Sequence, residues 1–287
     1  MKITDTCIDC LLSRVRLECS LCGADAQLSE ETTGACRQVM EELRDQPLSH
    51  PQIATRIHRR AYTLLETADP FDTLKRSGNR QALDVCRQVR GRLSTFRDHV
   101  HAAVIANIFD YGVKGHDVAT DFLSFFNTEI EKQLYIDDTD RILPLCSRVV
   151  YLSDNCGEIV FDKLLIRYLK AHGSHVTLAV KEKPILNDAT LDDALELGLD
   201  RIVDHLTTSG GGDNAEIGYN PDLIPEDLRQ AIDHCTIIIA KGMANFESIS
   251  ELHGLPPVAY LLAAKCRPVA DELGVPVGVK VAKLRET

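Results

Sequence analysis

The chain has 287 residues, 44% of them hydrophobic, enough for one large domain or two modest ones around a substantial core. Its formal net charge of −11 argues against a nucleic-acid partner, which selects a basic face, and leaves any anionic substrate dependent on local positive charge. No apolar run of about 18 residues occurs, and Met1-Lys2-Ile3-Thr4-Asp5-Thr6 meets acidic and cysteine residues before a signal-like stretch develops, so the expectation is a cytoplasmic protein without membrane contact. The ten cysteines are scattered and read as reduced thiols rather than a disulfide framework.

From about Thr4 to Cys146 the apolar positions recur at three and four, as in Val100, Val104 and Ile108, and β-branched runs are scarce. Breaks are expected at Gln46 to Pro51, Asp69-Pro70, Ser77-Gly78-Asn79 and Gly112 to Gly115, giving a helical bundle or cap over residues 1–145. After Leu145 short apolar strands alternate with amphipathic helices, the signature of a mainly parallel sheet over residues 146–287. Strands are predicted at Val149 to Ser153, His175 to Val180, Arg201 to Asp204, Thr236 to Ala240, Val258 to Ala263 and near Val277 to Val281. The fold class is therefore α/β, a Rossmann-like, mainly parallel sheet domain with an N-terminal all-helical domain. The glycine-rich stretch Thr207 to Asn214 follows the third strand, either as a loop over a ligand or as an exposed linker.

Ligands of open α/β sheets bind beyond the carboxyl ends of the strands, which draws the argument to Ser153-Asp154-Asn155-Cys156-Gly157-Glu158, Lys183-Pro184-Ile185-Leu186-Asn187-Asp188 and Lys241-Gly242-Met243-Ala244-Asn245-Phe246-Glu247. Asp154, Asn155 and Asp188 are hard oxygen donors suited to Mg²⁺ or Mn²⁺, and equally placed to cap helices. Glu158 lies in a first helical turn, where it either favours the helix dipole or orients an attacking water. Lys241 is a strand-end charge able to neutralise a phosphoryl group or simply to be solvated. Ser153, Asn245 and Glu247 are placed to contact substrate, the last two alternatively capping the following helix.

Cys7-Ile8-Asp9-Cys10 and Cys19-Ser20-Leu21-Cys22 form two CxxC pairs, but the segment between them is too short for a four-cysteine zinc ribbon. Cys7 and Cys10 are read as a secondary metal or thiol site, Cys19 and Cys22 as packing. Cys156 has no histidine close in sequence and acidic neighbours, which disfavours a nucleophilic thiolate.

Taken together, Cys7-x-x-Cys10-Leu11, Ala106-Asn107-x-x-Asp110-Tyr111-Gly112, Asp154-Asn155-x-Gly157-Glu158, Lys183-Pro184-x-x-Asn187-Asp188, Lys241-Gly242-x-x-Asn245-Phe246-Glu247 and Ala264-Lys265-Cys266 resemble the metal-dependent damage-control phosphatases, a former domain-of-unknown-function family related to the phosphopantetheine phosphatases. The CxxC resembles its microbial branch. The resemblance covers nearly the whole chain and implies a divalent metal (Mn²⁺, Mg²⁺, Co²⁺ or Ni²⁺) on Asp154, Asn155 and Asp188, Lys241 near the phosphate, Asn107 and Asp110 reaching the pocket from the helical side, and Cys266 near the CxxC. Two departures bear on pocket shape: Ala106 stands where many relatives carry glycine, and Gly210-Gly211-Gly212 is unusually glycine-rich.

The function expected is hydrolysis of a phosphate monoester of a small metabolite, such as a sugar phosphate, a nucleotide or a damaged phosphorylated cofactor intermediate. Two alternatives stand beside it. A methyltransferase using an adenosyl donor calls for more glycine after the first strand than Gly157 supplies. A non-catalytic metal- or metabolite-binding protein would bind without turnover.

Overall fold

A computed structural model describes residues 3–108, 118–210 and 215–286. The helices before the sheet are α1 (Asp5–Leu21), α2 (Ala26–Leu43), α3 (His50–Leu64), α4 (Asp72–Val89), α5 (Phe96–Ile108) and α6 (Val118–Ile130). There follow β1 (Ile136–Asp137), α7 (Thr139–Ile142), β2 (Arg148–Leu152), α8 (Glu158–Ala171), β3 (His175–Val180), α9 (Leu191–Glu196), β4 (His205–Thr208), α10 (Glu226–His234), β5 (Ile237–Lys241), α11 (Gly242–Ile249), β6 (Val258–Ala263), α12 (Arg267–Leu273) and β7 (Lys280–Arg285).

The seven strands form one sheet in the order β1-β7-β6-β5-β2-β3-β4. Every pairing is parallel except β6 with β7. Central strands of such a sheet are covered on both faces, which explains their continuous apolar runs: all five residues of β5 and all six of β6 are buried. One face carries a core in which α4, α5, α6 and α8 pack on Tyr151, Leu178, Ile239 and Leu261. The other carries α10, α11 and α12 on Val150, Ile238, Tyr260 and Leu262. A third cluster joins α1, α2 and α3 to Ile185, Ala215 and Ile217, which lie in the loops after β3 and β4. Those three helices therefore sit over the carboxyl end of the sheet.

Several predicted boundaries move. Ile202 and Val203 do not make a strand; their amides bond to Leu199 O in a turn, and the strand begins at His205. The expected break at Ser77-Gly78-Asn79 is the middle of α4, where Gly78 and Asn79 are buried by packing that outweighs their poor helix propensity. The last strand starts three residues later than Val277, and the two-residue β1 gave no periodic signal.

Candidate active site

Strand order determines where the side chains meet. From β2 the chain steps outward to β3 and β4, then returns across to β5 on the other side of β2, so β2 and β5 flank the point where the order reverses. Leu152 is level with Ala179 of β3 and Ala240 of β5, and the next residues out of these strands are brought to one crevice. Asp154 follows β2, Asp188 follows β3, and Gly242 opens α11 directly from β5.

The crevice is tightly built. Asp188 and Asn155 are bridged backbone to backbone, and Ala189 N donates to Asp154 O at 2.8 Å. Asp154 Oδ2 accepts from Asn155 Nδ2 at 2.8 Å and from Asn107 Nδ2 at 3.1 Å. Asn107 also donates to Glu158 Oε2 at 2.8 Å and accepts from Ala263 N at 3.2 Å, so α5 reaches the site through one fully used amide. Gly242 has φ of 75°, and a Cβ there would overlap the Asp154 carboxylate; the position needs glycine on both counts. Gly157, at φ 78°, donates its amide to Asn79 Oδ1 at 2.6 Å, tying the start of α8 to α4.

Lys241 is placed differently from a phosphate-facing group. It is 0% exposed, and its ammonium donates to Glu158 Oε1 at 2.5 Å and Ala103 O at 3.0 Å while Asp162 Oδ1 lies 3.0 Å away. Its three donors are taken. Glu158 is likewise enclosed, and Tyr151 OH donates to the same Asp162 Oδ1 at 2.7 Å, while Asp162 Oδ2 has no partner among the described residues. Burial together with Glu158 and Asp188 holds the Asp154 carboxyl well above the usual range, and burial pushes Asp188 and Asp162 up to about 6 despite the partial relief from Lys181 and Lys241 respectively.

The remaining predicted residues fall around this centre. Ser153 Oγ donates to Ala179 O at 3.0 Å, and Asn245 Nδ2 donates to Ser153 O and Lys241 O at 3.0 and 2.7 Å, so both hold the backbone of the crevice. Glu247 Oε1 lies 3.1 Å from His50 Nδ1. Asp110 lies outside the described residues, as does part of the Gly210-Gly211-Gly212 loop. Burial first, and then Glu247, Cys7 and Cys10, raise the thiol of Cys266. Among the described residues no three His, Cys, Asp or Glu side chains are arranged to hold an ion. Cys156 is buried, and its thiol is raised well above the ordinary value by that burial and then by Asp193.

A cavity of about 180 Å³ opens over Asp154, Asn155 and Asp188. Its opposite wall comes from the helices: Cys10 and Arg14 of α1, His50 and His58 of α3, and Lys265 from the turn after β6. Arg14, His50, His58 and Lys265 were not singled out from the sequence as site residues. The available signal was the helical spacing of polar side chains, four residues from Cys10 to Arg14 on one helix and eight from His50 to His58 on the other, along faces that otherwise pack. Larger grooves of about 340 to 500 Å³ occur elsewhere, but none is lined by more than two carboxylates that are also buried.

Residues 3–281 match the damage-control phosphatase ARMT1-like domain. The chain belongs to this family. A damage-control phosphatase of Archaeoglobus fulgidus is 40% identical over 292 residues, covering 100% of both chains. One from Pyrococcus horikoshii is 29% identical over 294 residues, covering 98% of this chain and 97% of its own. A crystal structure of a DUF89 family protein from Pyrococcus horikoshii matches the whole of this damage-control phosphatase family member with a TM-score of 0.90 at 27% identity, 100% of each chain being covered. The phosphatase assignment and the α/β fold class read from the sequence are thus shown. No helix among the described residues is long and apolar enough to cross a membrane.

Proposed function

We propose that this damage-control phosphatase hydrolyses phosphate monoesters of small metabolites with a divalent metal held by Asp154, Asn155 and Asp188. The observation that carries the reading is charge. Asp154, Glu158, Asp162 and Asp188 are all buried beside Lys181 and Lys241, so carboxyl groups outnumber ammonium groups two to one among them, and the raised Asp154 and Asp188 carboxyls mark a site short of positive charge. Among the described residues Asp188 Oδ2 has no hydrogen-bond partner, and its separation from Lys181 Nζ is 3.8 Å. An orphaned carboxylate oxygen beside a second carboxylate and an amide suits a hard dication such as Mg²⁺, Mn²⁺, Co²⁺ or Ni²⁺. When bound, that ion would supply Lewis-acid polarisation of the phosphoryl group.

The chain's own residues then divide the remaining work. Arg14 and Lys265 line the cavity and provide positive charge for the phosphoryl oxygens, a task for which the Lys241 donors are already committed. Lys241 instead holds Glu158, and Asn107 and Asn155 fix the carboxylates of Glu158 and Asp154 relative to one another. Glu247 and His50 sit at the rim, where substrate hydroxyls would be met. A small phosphorylated metabolite is the expected partner, and the cavity volume sets its scale. Asp110 keeps the substrate-facing role that the family resemblance implies for it.

The test is phosphate release from a panel of phosphomonoesters by chelator-stripped protein, with Mg²⁺, Mn²⁺, Co²⁺ or Ni²⁺ restored singly and Asp154→Ala in parallel. Metal-dependent turnover lost in the variant is the expected result. Metal binding without phosphate release across the panel would favour the binding-protein alternative, and turnover retained by Asp154→Ala would remove the metal assignment.

A further inference from the structure

The wall of this cavity holds a second buried ionisable pair that the proposed chemistry does not use. His58 of α3 and Glu18 of α1 are both 0% exposed, and His58 Nδ1 lies 2.7 Å from Glu18 Oε1. Neither ring nitrogen and neither carboxylate oxygen has an aligned hydrogen-bond partner. Burying such atoms without aligned partners is unfavourable, so packing alone would favour apolar side chains at both positions. The helices explain the placement. Along α1, Cys10 and Arg14 line the cavity, and Glu18 comes one turn later, behind the His58 ring; along α3, His50, Ala54 and His58 line it in successive turns. His58 thus stands between Glu18 and a cavity whose floor carries Asp154, Asn155 and Asp188. With Nδ1 turned to Glu18, Nε2 is the nitrogen not engaged by it, enclosed in the cavity wall and without a partner among the described residues.

We propose that His58 is the general acid of the hydrolysis and that Glu18 is a positioning residue, orienting the imidazole and balancing its charge. This rests on the phosphomonoester reading above. The oxygen of water forms a bond to phosphorus as the bond from phosphorus to the ester oxygen breaks. The electron pair of the broken bond stays on the departing oxygen, which takes the proton from His58 Nε2. The attacking water releases one proton, and a proton from solvent restores the imidazolium after alcohol and phosphate leave. Monoester and water become alcohol and phosphate, and nothing is oxidised or reduced.

A group that protonates the departing oxygen matters most when that oxygen is strongly basic. The experiment compares kcat/KM for an alkyl phosphate, the best in the wild-type panel, with that for 4-nitrophenyl phosphate, whose phenolate leaves without help. His58→Gln should lower the alkyl ester rate about 10²- to 10⁴-fold, the usual worth of a positioned acid, and the 4-nitrophenyl rate less than about tenfold. Glu18→Gln should skew the ratio the same way to a smaller degree. The ratio is independent of how much protein is folded, since both rates scale with the folded fraction, and metal affinity measured by calorimetry should be unchanged. Equal losses on both esters, or no loss on either, would overturn the assignment while leaving the phosphatase reading intact. A wild-type enzyme that hydrolyses neither ester with any of the four metals would overturn both.

Discussion

Lys241 shows how a residue that reads as catalytic at a strand end can instead be structural. Its ammonium is surrounded by two carboxylates and a carbonyl with no access to water, and the two carboxylates together hold it charged far into the alkaline range. Removing one partner of such a buried ion pair leaves uncompensated charge behind. Lys241→Met should therefore destabilise the protein by about 3–5 kcal/mol, read as a lower urea midpoint. Neutralising one of the abandoned carboxylates, in Lys241→Met/Asp162→Asn, should recover part of the loss. A wild-type midpoint in the single variant would mean that Glu158 and Asp162 do not depend on it.

His101 carries a pH dependence of its own. Half-buried in α5, it has its pKa pushed down to about 4, first by desolvation and then by the nearby charges of Lys280 and Arg97, with Asp137 and Glu129 opposing. In the unfolded chain it would titrate near 6.5. Between those values the unfolded state binds the extra proton, so the contribution from His101 is intact above about 6.5 and declines as the pH falls toward 4. His101→Asn should flatten the fall of melting temperature between pH 7 and 5, and an unchanged slope would assign the acid sensitivity to other groups.

At the scale of elements, α3 does more than cap. Its start is secured by Gln52, whose side chain accepts from Ser49 N at 3.0 Å, and by Pro51 in the first turn. Near its end Tyr62 OH accepts from Leu186 N at 2.8 Å, and Leu186 has φ of 49°, an uncommon conformation for a branched side chain. Strain of that kind persists where the surroundings enforce it, and here it sets the loop that delivers Asp188. Tyr62→Phe leaves the Leu186 amide unpaired. The expected cost is about 1–3 kcal/mol, accompanied by weaker metal binding, both measurable by metal titration of the thermal transition.

The legibility of these elements follows from how local their causes are. His175–Val180 and Val258–Ala263 stand out as short apolar runs between turn residues, and the structure has them at those bounds. Ile202-Val203 mimics the same pattern but packs as a turn against the sheet core. Asn79 looked like a break because asparagine and glycine favour turns; its real use, joining Gly157 N and the Asp193 carboxylate, is a contact across 78 and 114 residues of chain. Asp154, Asn155 and Asp188 were legible together because strand ends converge by topology alone. Arg14, His58 and Lys265 join them through helix-on-loop packing; helical spacing marks the face that Arg14 and His58 occupy, but not what that face packs against.

For the whole molecule, the surplus of buried carboxyl groups in the crevice predicts a coupling between ion and fold. A metal that binds the folded state alone stabilises it by RT ln(1 + [L]/Kd), about 2.7 kcal/mol at a hundredfold excess over Kd. Chelator treatment should lower the melting temperature, restoring Mn²⁺ or Mg²⁺ should raise it, and Asp188→Asn should abolish most of the difference. A transition indifferent to chelator and metal in the wild type would count against an ion in the crevice.

Strand β7 lies between β6 and β1, antiparallel to one and parallel to the other. During synthesis, then, the sheet stays open until residues 280–285 leave the ribosome, and β6 waits with an unpaired edge of Val258 to Ala263. Six consecutive buried residues without a charge make that edge a template for intermolecular pairing. Of the sheet's strands β7 is made after the other six, so it is what closes the exposed β6 edge, and a chain interrupted before Lys280 would be expected to be insoluble rather than a working phosphatase.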